Sequence, residues 1–172
     1  MPSELLKGKR ILAVDDEKDV LDVLEEELEN YDVKLERASS YEEALERMCS
    51  FTHDLVILDI MGVRGFELLE SSIAKKIPVV MLTAHALNAG YLKQSIELGA
   101  RAYLPKDQLG QVGPFIEDVL TLSYQSAWKS LFLKLGAQFG KRFGPDWRKT
   151  EKEFWERFDK DLEVSESTII QS

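Results

Sequence analysis

Cysteine and histidine are scarce in this chain of 172 residues, which contains one cysteine and two histidines. The single cysteine, Cys49, excludes an internal disulfide, and this agrees with a reducing cytoplasm. We expect Cys49 to be a buried or half-buried residue of a helix. With so few nitrogen and sulfur ligands, a zinc site is not expected.

Long apolar runs are also missing from the sequence. No stretch approaches the roughly 18 apolar residues that a helix needs to cross a bilayer. The opening residues, MPSELLKGKR, lack the apolar core of a secretion signal. We therefore predict a cytoplasmic protein without membrane contact. Its composition, with 44% hydrophobic and 31% charged residues, is typical of a globular protein.

Positive charge is scarce in the first two thirds of the chain. Residues 1–122 contain 13 lysines and arginines against 23 acids, whereas residues 123–172 contain 9 against 8. An acidic surface repels the phosphate backbone of nucleic acids. If any part of the chain contacts nucleic acid, we expect it to be the C-terminal part.

Five short apolar runs alternate with amphipathic stretches of helical periodicity, which indicates a parallel sheet with helices on both faces. We predict strands at residues 10–14, 33–37, 55–59, 78–84 and 102–106. We predict helices at 18–31, 40–50, 65–76 and 89–99, and a fifth that begins near Gly113 and Pro114. The expected fold class is α/β, a doubly wound five-stranded parallel sheet of order 2-1-3-4-5 with a C-terminal helical extension. Such sheets bind ligands at the carboxyl ends of their strands.

Polar and charged residues stand at four of these predicted strand ends. Asp15 and Asp16 follow the first strand, Asp59 ends the third, Thr83 the fourth and Lys106 the fifth. Neighbouring strands are about 4.8 Å apart, so the three carboxylates are expected to lie close together. Such acids repel one another unless a cation lies among them, and hard oxygen ligands favour Mg²⁺. One carboxylate can then attack phosphorus while the lysine and the hydroxyl stabilise the transferring oxygens.

Each of these five residues also has an ordinary structural explanation by itself. An aspartate after a strand is often a helix cap, a threonine often ends a strand, and most lysines lie at the surface. Their joint occurrence at the ligand-binding edge of one sheet is what favours a functional site.

These residues lie in motifs that resemble the receiver domain of two-component response regulators. The resemblance covers roughly residues 9–122 and rests on VDDE (14–17), LVILDI (55–60), PVVMLTA (78–84) and GARAYLPK (99–106). It implies a signalling switch, not an enzyme, that receives a phosphoryl group from a histidine kinase or a phosphotransfer protein.

The resemblance also implies a role for each acid. Asp59 would be the phosphoacceptor, and Asp16 a direct ligand of Mg²⁺. Asp15 would act on the metal mainly through water, and the backbone carbonyl of Met61 would be a further ligand. The loop after Asp59 reaches Gly65 sooner than is usual in the family and without the usual proline, so the resemblance leaves the metal geometry open.

Three further residues receive roles from the resemblance. Thr83 and Lys106 would bind the phosphoryl oxygens, and Tyr103 would be the aromatic switch residue that changes rotamer with them. For Tyr103, plain packing at the edge of the sheet is the alternative.

Haloacid-dehalogenase phosphatases are a rival class, because they also combine an aspartate nucleophile with Mg²⁺. They need an Asp-x-Asp pair at the end of their first strand. Here the acids at that position are adjacent, and the candidate nucleophile stands on the third strand. The sequence therefore disfavours this enzyme class.

The C-terminal part reads as two helices rich in aromatic residues. No glycine or proline interrupts residues 115–135, so we expect the fifth helix to continue well past residue 122. After the break FGPDW (143–147), a second helix is expected to present an apolar side. A first apolar stripe has helical spacing and consists of Trp128, Leu131, Phe132, Leu135 and Phe139.

We therefore expect three segments: a receiver domain at 9–122, a helical extension at 123–164 and a disordered tail at 165–172. The apolar stripe is expected to pack within the chain, to form a homodimer or to bind a downstream protein partner. A minimal DNA-binding segment is the alternative output, since Lys141, Arg142, Arg148 and Lys149 cluster. Interleaved acids dilute that patch and no helix-turn-helix pattern stands out, so DNA binding is not favoured.

Overall fold

A computed structural model describes residues 4–84 and 89–171, and its side chains as far as residue 163. Five parallel strands form one sheet in the order β2-β1-β3-β4-β5, which confirms the predicted doubly wound α/β fold. The strands are β1 (Arg10–Val14), β2 (Lys34–Ala38), β3 (Leu55–Asp59), β4 (Val79–Thr83) and β5 (Ala102–Pro105).

Helices cover both faces of the sheet and then extend beyond it. They are α1 (Lys18–Leu28), α2 (Tyr41–Ser50), α3 (Gly65–Ala74), α4 (Ala89–Glu97), α5 (Val112–Thr121), α6 (Tyr124–Phe143) and α7 (Lys152–Gln171). Short 3₁₀ turns lie at Glu4–Leu6, Glu29–Tyr31 and Lys106–Gln111. None of the helices in the described ranges is both long and apolar enough to cross a membrane.

The burial of each strand follows its place in the sheet. Every residue of β3 and β4 is buried, as expected for central strands covered on both faces, whereas β2 at the edge is mostly half-buried.

Helix α2 begins after Ser40, whose hydroxyl accepts a hydrogen bond from the Glu43 backbone N–H. The expectation for Cys49 was wrong, because it lies on the exposed side of α2.

The expectation of a long fifth helix was also wrong. Helix α5 ends at Thr121, because the backbone of Leu122 and Ser123 is extended. Ser123 then starts α6 as an N-cap, since its hydroxyl accepts a hydrogen bond from the Ser126 backbone N–H at 3.1 Å. A serine cap therefore breaks the helix where no glycine or proline does.

Helices α6 and α7 pack on each other and α6 also lies against β5, so the apolar stripe is covered within the chain. Trp128 at the start of the stripe donates a hydrogen bond from Nε1 to the Ala100 carbonyl at 3.0 Å. Helix α7 contributes buried Trp155, Phe158 and Leu162 to the same cluster. Its backbone is helical as far as Gln171, past the expected limit of 164. The domain limits and the disorder of 165–172 stay predictions, and residue 172 lies outside the described residues.

Candidate functional site

The parallel strands end together at one edge of the sheet. Asp15 directly follows β1, and its backbone N–H donates to the Ala38 carbonyl at 3.1 Å. Asp59 is the last residue of β3 and is in register with Leu82, one residue before Thr83. Thr83 in turn is in register with Pro105, directly before Lys106. The register thus brings the residues predicted from four strand ends into one site.

Lys106 joins the acids of this site. Its ammonium nitrogen Nζ lies 3.0 Å from Asp15 Oδ2 and 3.1 Å from Asp59 Oδ1. A third carboxylate oxygen, Oε1 of Glu17, accepts a hydrogen bond from the same nitrogen at 2.8 Å. Asp15, Asp59 and Thr83 are almost fully buried, whereas the Glu17 side chain is 58% exposed at the mouth of the site.

Glu17 was missed as a contact of the site, although it stands in the VDDE motif (14–17). The sequence contained a signal, because a residue two positions after Asp15 remains near the same strand end. The Glu17 backbone N–H donates to Asp15 Oδ1 at 2.9 Å, which turns the chain so that the Glu17 side chain meets Lys106.

Burial and mutual repulsion govern the ionisation of the acids. The pKa of Asp59 is raised to about 7, chiefly by burial and then by the negative charge of Asp15, while Lys106 acts in the opposite direction. The pKa of Asp15 is also raised, chiefly by burial. Burial by itself would lower the pKa of Lys106, but its contacts with Glu17, Asp15 and Asp59 raise it instead. One lysine therefore does not compensate for two buried carboxylates.

The acids at the end of β1 suit a hard divalent cation. One carboxylate oxygen from each of Asp15, Asp16 and Glu17 can be chosen so that all lie within 4.8 Å of one another. Asp15 Oδ2 is buried, and its contact with the Lys106 ammonium at 3.0 Å is an ion pair. A buried carboxylate oxygen that already faces one cation is well suited to bind another.

The loop after β3 forms the other wall of the site. A cavity of about 290 Å³ is lined by Asp16, Asp59, Met61, Thr83 and Lys106, together with Glu17, Ile60, Gly62 and Ala84. Gly62 has a φ of +86°, and a Cβ on it would lie only 2.5 Å from Asp16 Oδ2. At this position a glycine lets the loop approach the acid closely. The Met61 side chain is exposed.

Gly65 explains how the short loop returns to the sheet. A Cβ on Gly65 would overlap the carbonyl oxygen of Asp59, so α3 starts in direct contact with the end of β3. The residue before it, Arg64, has a φ of +55° and lies over the Tyr41 ring at 3.9 Å.

Tyr103 lies behind Thr83 in the interior. Its hydroxyl donates a hydrogen bond to Thr83 Oγ1 at 3.4 Å, and the side chain is fully buried. Burial raises the pKa of Tyr103 to about 12, so the phenol keeps its proton at neutral pH. The aromatic predicted as a switch residue therefore contacts the threonine of the site, and it also packs against the extension through Phe139.

A family model described as the response regulator receiver domain matches residues 11–111, a range that includes every residue of the cavity. All of α5, α6 and α7 lie outside it. No curated protein matches the chain.

Several solved structures are similar to about two thirds or more of the chain. A putative response regulator from Chloroflexus aurantiacus is 28% identical, with a TM-score of 0.57 over 67% of this chain and 100% of that one. The receiver domain of NtrX from Brucella abortus is also 28% identical, with a TM-score of 0.53 over 66% and 99%. A response regulator from Burkholderia pseudomallei, solved with a phosphorylated aspartic acid, a calcium ion and citrate, shares the fold at 19% identity, with a TM-score of 0.61 over 73% and 74%.

Proposed function

The chain belongs to the response regulator receiver domain family, and we propose that it is a phosphorylation-dependent switch that accepts a phosphoryl group on Asp59. Receiver domains of this family are signalling switches that interact with histidine kinases or phosphotransfer proteins. The proposed donor is therefore a phosphohistidine of such a protein, and the proposed location is the cytoplasm.

One observation carries the proposal. The Lys106 ammonium lies between Asp15 and Asp59 at the carboxyl edge of the sheet, with the Thr83 hydroxyl on the same cavity. A nucleophilic carboxylate next to a fixed cation and a hydroxyl has the groups needed to stabilise a transferring phosphoryl group. Isolated acids at a protein surface do not have such an arrangement.

The proposed reaction is a single phosphoryl transfer. A carboxylate oxygen of Asp59 attacks the phosphorus of the phosphohistidine, a P–O bond forms and the P–N bond breaks. The imidazole nitrogen of the donor keeps the electron pair of the broken bond. Lys106 then binds one phosphoryl oxygen by charge, and the Thr83 hydroxyl donates a hydrogen bond to another. Each Asp59 accepts one phosphoryl group, so the transfer stops at one phosphoryl group per protein molecule.

Receiver domains of this family bind Mg²⁺ at an acidic pocket, and the residues at the end of β1 fit such an ion. We assign Asp16, Asp59 and the backbone carbonyl of Met61 as its ligands, together with Asp15, which acts on the ion mainly through water. Bound Mg²⁺ supplies positive charge that offsets the crowded carboxylates and the incoming phosphoryl oxygens. The raised pKa of Asp59 supports this assignment, because a cation would favour the ionised form that must act as the nucleophile.

Phosphorylation of Asp59 is tested directly with acetyl phosphate or beryllofluoride in the presence of Mg²⁺. We expect modification of the wild type, and none of Asp59→Asn or of the wild type in EDTA. Asp54→Asn is the matched control, because Asp54 directly precedes β3 and so lies at the amino end of the strand that Asp59 ends. There it accepts a hydrogen bond from the Arg10 N–H at 2.8 Å. Equal modification of Asp59→Asn, or no effect of EDTA, would show that the acceptor assignment is wrong.

The proposed output passes through the helical extension, toward a downstream protein or a second copy of the chain. Its support is the direct packing of α6 against β5, which connects the extension to the strand before Lys106. Because the stripe on α6 is covered by α7, the outward faces of these helices are the surfaces available for a partner. Sedimentation with and without beryllofluoride tests dimerisation, and a pull-down under the same conditions tests other protein partners.

DNA binding remains the alternative output, and ion pairs within the chain weigh against it. Arg142 pairs with Asp107, Arg148 with Asp159 and Lys149 with Asp146, so three of the four clustered cations already contact an acid. Salt-sensitive binding to duplex DNA that is lost in Arg142→Ala/Arg148→Ala would favour this alternative.

A further inference from the structure

Helix α6 crosses the receiver domain along β5 and is attached at both ends of that strand. Trp128 donates a hydrogen bond to the Ala100 carbonyl, two residues before β5, and Arg142 pairs with Asp107, two residues after it. Between these two attachments, the ring of Phe139 meets the ring of Tyr103 edge to face, with centroids 5.9 Å apart. Both rings are fully buried. The extension therefore covers the aromatic residue that lies behind the phosphorylation site.

Tyr103 connects this contact to the site. Its hydroxyl donates to Thr83 Oγ1, and Thr83 lines the cavity that contains Asp59 and Lys106. A threonine hydroxyl has one proton to donate and two lone pairs with which to accept. When Thr83 accepts from Tyr103, one lone pair is occupied and its proton is left to point toward the cavity. An inward Tyr103 therefore prepares Thr83 to donate to an anion.

We propose that Phe139 is a positioning residue for the phosphoryl group on Asp59, acting through Tyr103 and Thr83. Phe139 fills the space outside the Tyr103 ring and keeps its hydroxyl at Thr83. The inference rests on the proposed function, because it assumes that Thr83 binds a phosphoryl oxygen. It goes further in assigning part of the site to the extension, outside the range of residues 11–111 that the family model matches.

The hydrogen bonds determine whether phosphorylation of Asp59 favours or disfavours docking of the extension. A phosphoryl group that accepts from Thr83 makes the threonine oxygen a better acceptor for Tyr103, because hydrogen bonds in a chain polarise one another. Phosphorylation then favours the inward ring and thereby the docked extension. Coupling between two sites is reciprocal, so the docked extension must strengthen phosphoryl binding by the same factor.

The test compares beryllofluoride affinity in saturating Mg²⁺ between the wild type and Phe139→Leu, by calorimetric titration. Leucine keeps the position apolar but removes the ring that faces Tyr103. We expect binding of beryllofluoride to weaken about three- to tenfold, while Mg²⁺ affinity measured alone changes less than about twofold. The matched control is Phe158→Leu, because Phe158 is a buried ring of α7 that contacts Trp128 and Phe132 and makes no ring contact with Tyr103. Circular dichroism checks that both variants are folded.

A double-mutant cycle separates positioning from general packing. Tyr103→Phe keeps the ring against Phe139 but removes the hydroxyl at Thr83, so we expect Phe139→Leu to have no further effect in that background. Equal affinities of Phe139→Leu and wild type, or an equal loss in Phe158→Leu, would overturn the role of Phe139 and leave the proposed function intact. If Asp59→Asn binds beryllofluoride as tightly as the wild type does, the proposed function is overturned, and this inference with it.

Discussion

The site without a metal ion should be electrostatically strained, and Asp59→Asn should relieve that strain. Asp59 and Asp15 are both buried and share a single half-buried lysine, whose Nζ lies 3.1 and 3.0 Å from them. The amide of asparagine has nearly the shape of the carboxylate and carries no charge. We therefore expect Asp59→Asn to raise the free energy of unfolding in EDTA, although it removes the phosphoacceptor.

The size of the effect follows from the pKa of Asp59. Burial and the neighbouring acid raise this pKa from the ordinary 3.8 to about 7, and a difference of about 3 pH units corresponds to about 4 kcal/mol. This is an upper limit, because asparagine offers one acceptor oxygen where the carboxylate offers two. We expect a gain of about 1–3 kcal/mol at pH 8.

The same pKa determines the pH dependence. Because the folded pKa lies above the unfolded one, the folded chain binds this proton more tightly, and the ionised form is the disfavoured one. The contribution of Asp59 to stability should therefore fall as the pH rises from about 4 to about 7 and should stay low above that. The advantage of Asp59→Asn should accordingly shrink when the pH is lowered from 8 to 5.

Urea unfolding followed by circular dichroism, at pH 5 and pH 8, measures these free energies. Glu70→Gln is a suitable control, since this acid lies exposed on α3 and its loss should change stability by less than about 0.5 kcal/mol. Addition of Mg²⁺ should stabilise the wild type more than Asp59→Asn and reduce the difference between them. A variant that is less stable than the wild type in EDTA at pH 8 would refute the reasoning.

Two further variants test neighbouring parts of the structure. Lys106→Ala should leave Mg²⁺ affinity unchanged or up to about tenfold stronger, because it removes a cation that competes for Asp15 and Asp59, while beryllofluoride should no longer alter tail tryptophan fluorescence. A large loss of Mg²⁺ affinity would mean that Lys106 orders the acids instead. Trp128→Ala should lower the free energy of unfolding by about 3–5 kcal/mol, because the indole is fully buried. Leu133→Ala, at a side chain that is 85% exposed, should be nearly neutral, and equal effects of the two would mean that α6 is not docked in solution.

The sequence by itself determined the sheet and the residues at its edge. Residues 55–58 and 78–82 are all apolar and have no polar face to present to water, so the strands that contain them must be central. Parallel strands joined by right-handed crossovers end at one edge, so Asp15, Asp59 and Thr83 had to meet there. These conclusions depend on local periodicity and on chirality, which are properties of the chain before it packs.

Only the tertiary structure decided how the charges of the site are balanced. A pKa depends on burial and on distances of a few ångströms, and neither is visible in a string of residues. The contact of Glu17 with Lys106 joins residues 89 positions apart, and it forms because β1 and β5 end at the same edge. The raised pKa of Asp59 likewise appears only when the acids and the lysine are in place.

In the C-terminal part, the sequence determined one feature of the apolar stripe and the tertiary structure decided another. Helical periodicity indicated an apolar stripe at residues 128–139, but periodicity cannot say what covers a stripe. The Ser123 cap bends the chain between α5 and α6, and α6 then returns over β5 to bring Phe139 against Tyr103. Such a fold-back depends on one capped turn and on complementary surfaces far apart in sequence. For that physical reason, the sequence determined that an apolar face exists and the tertiary structure decided its partner.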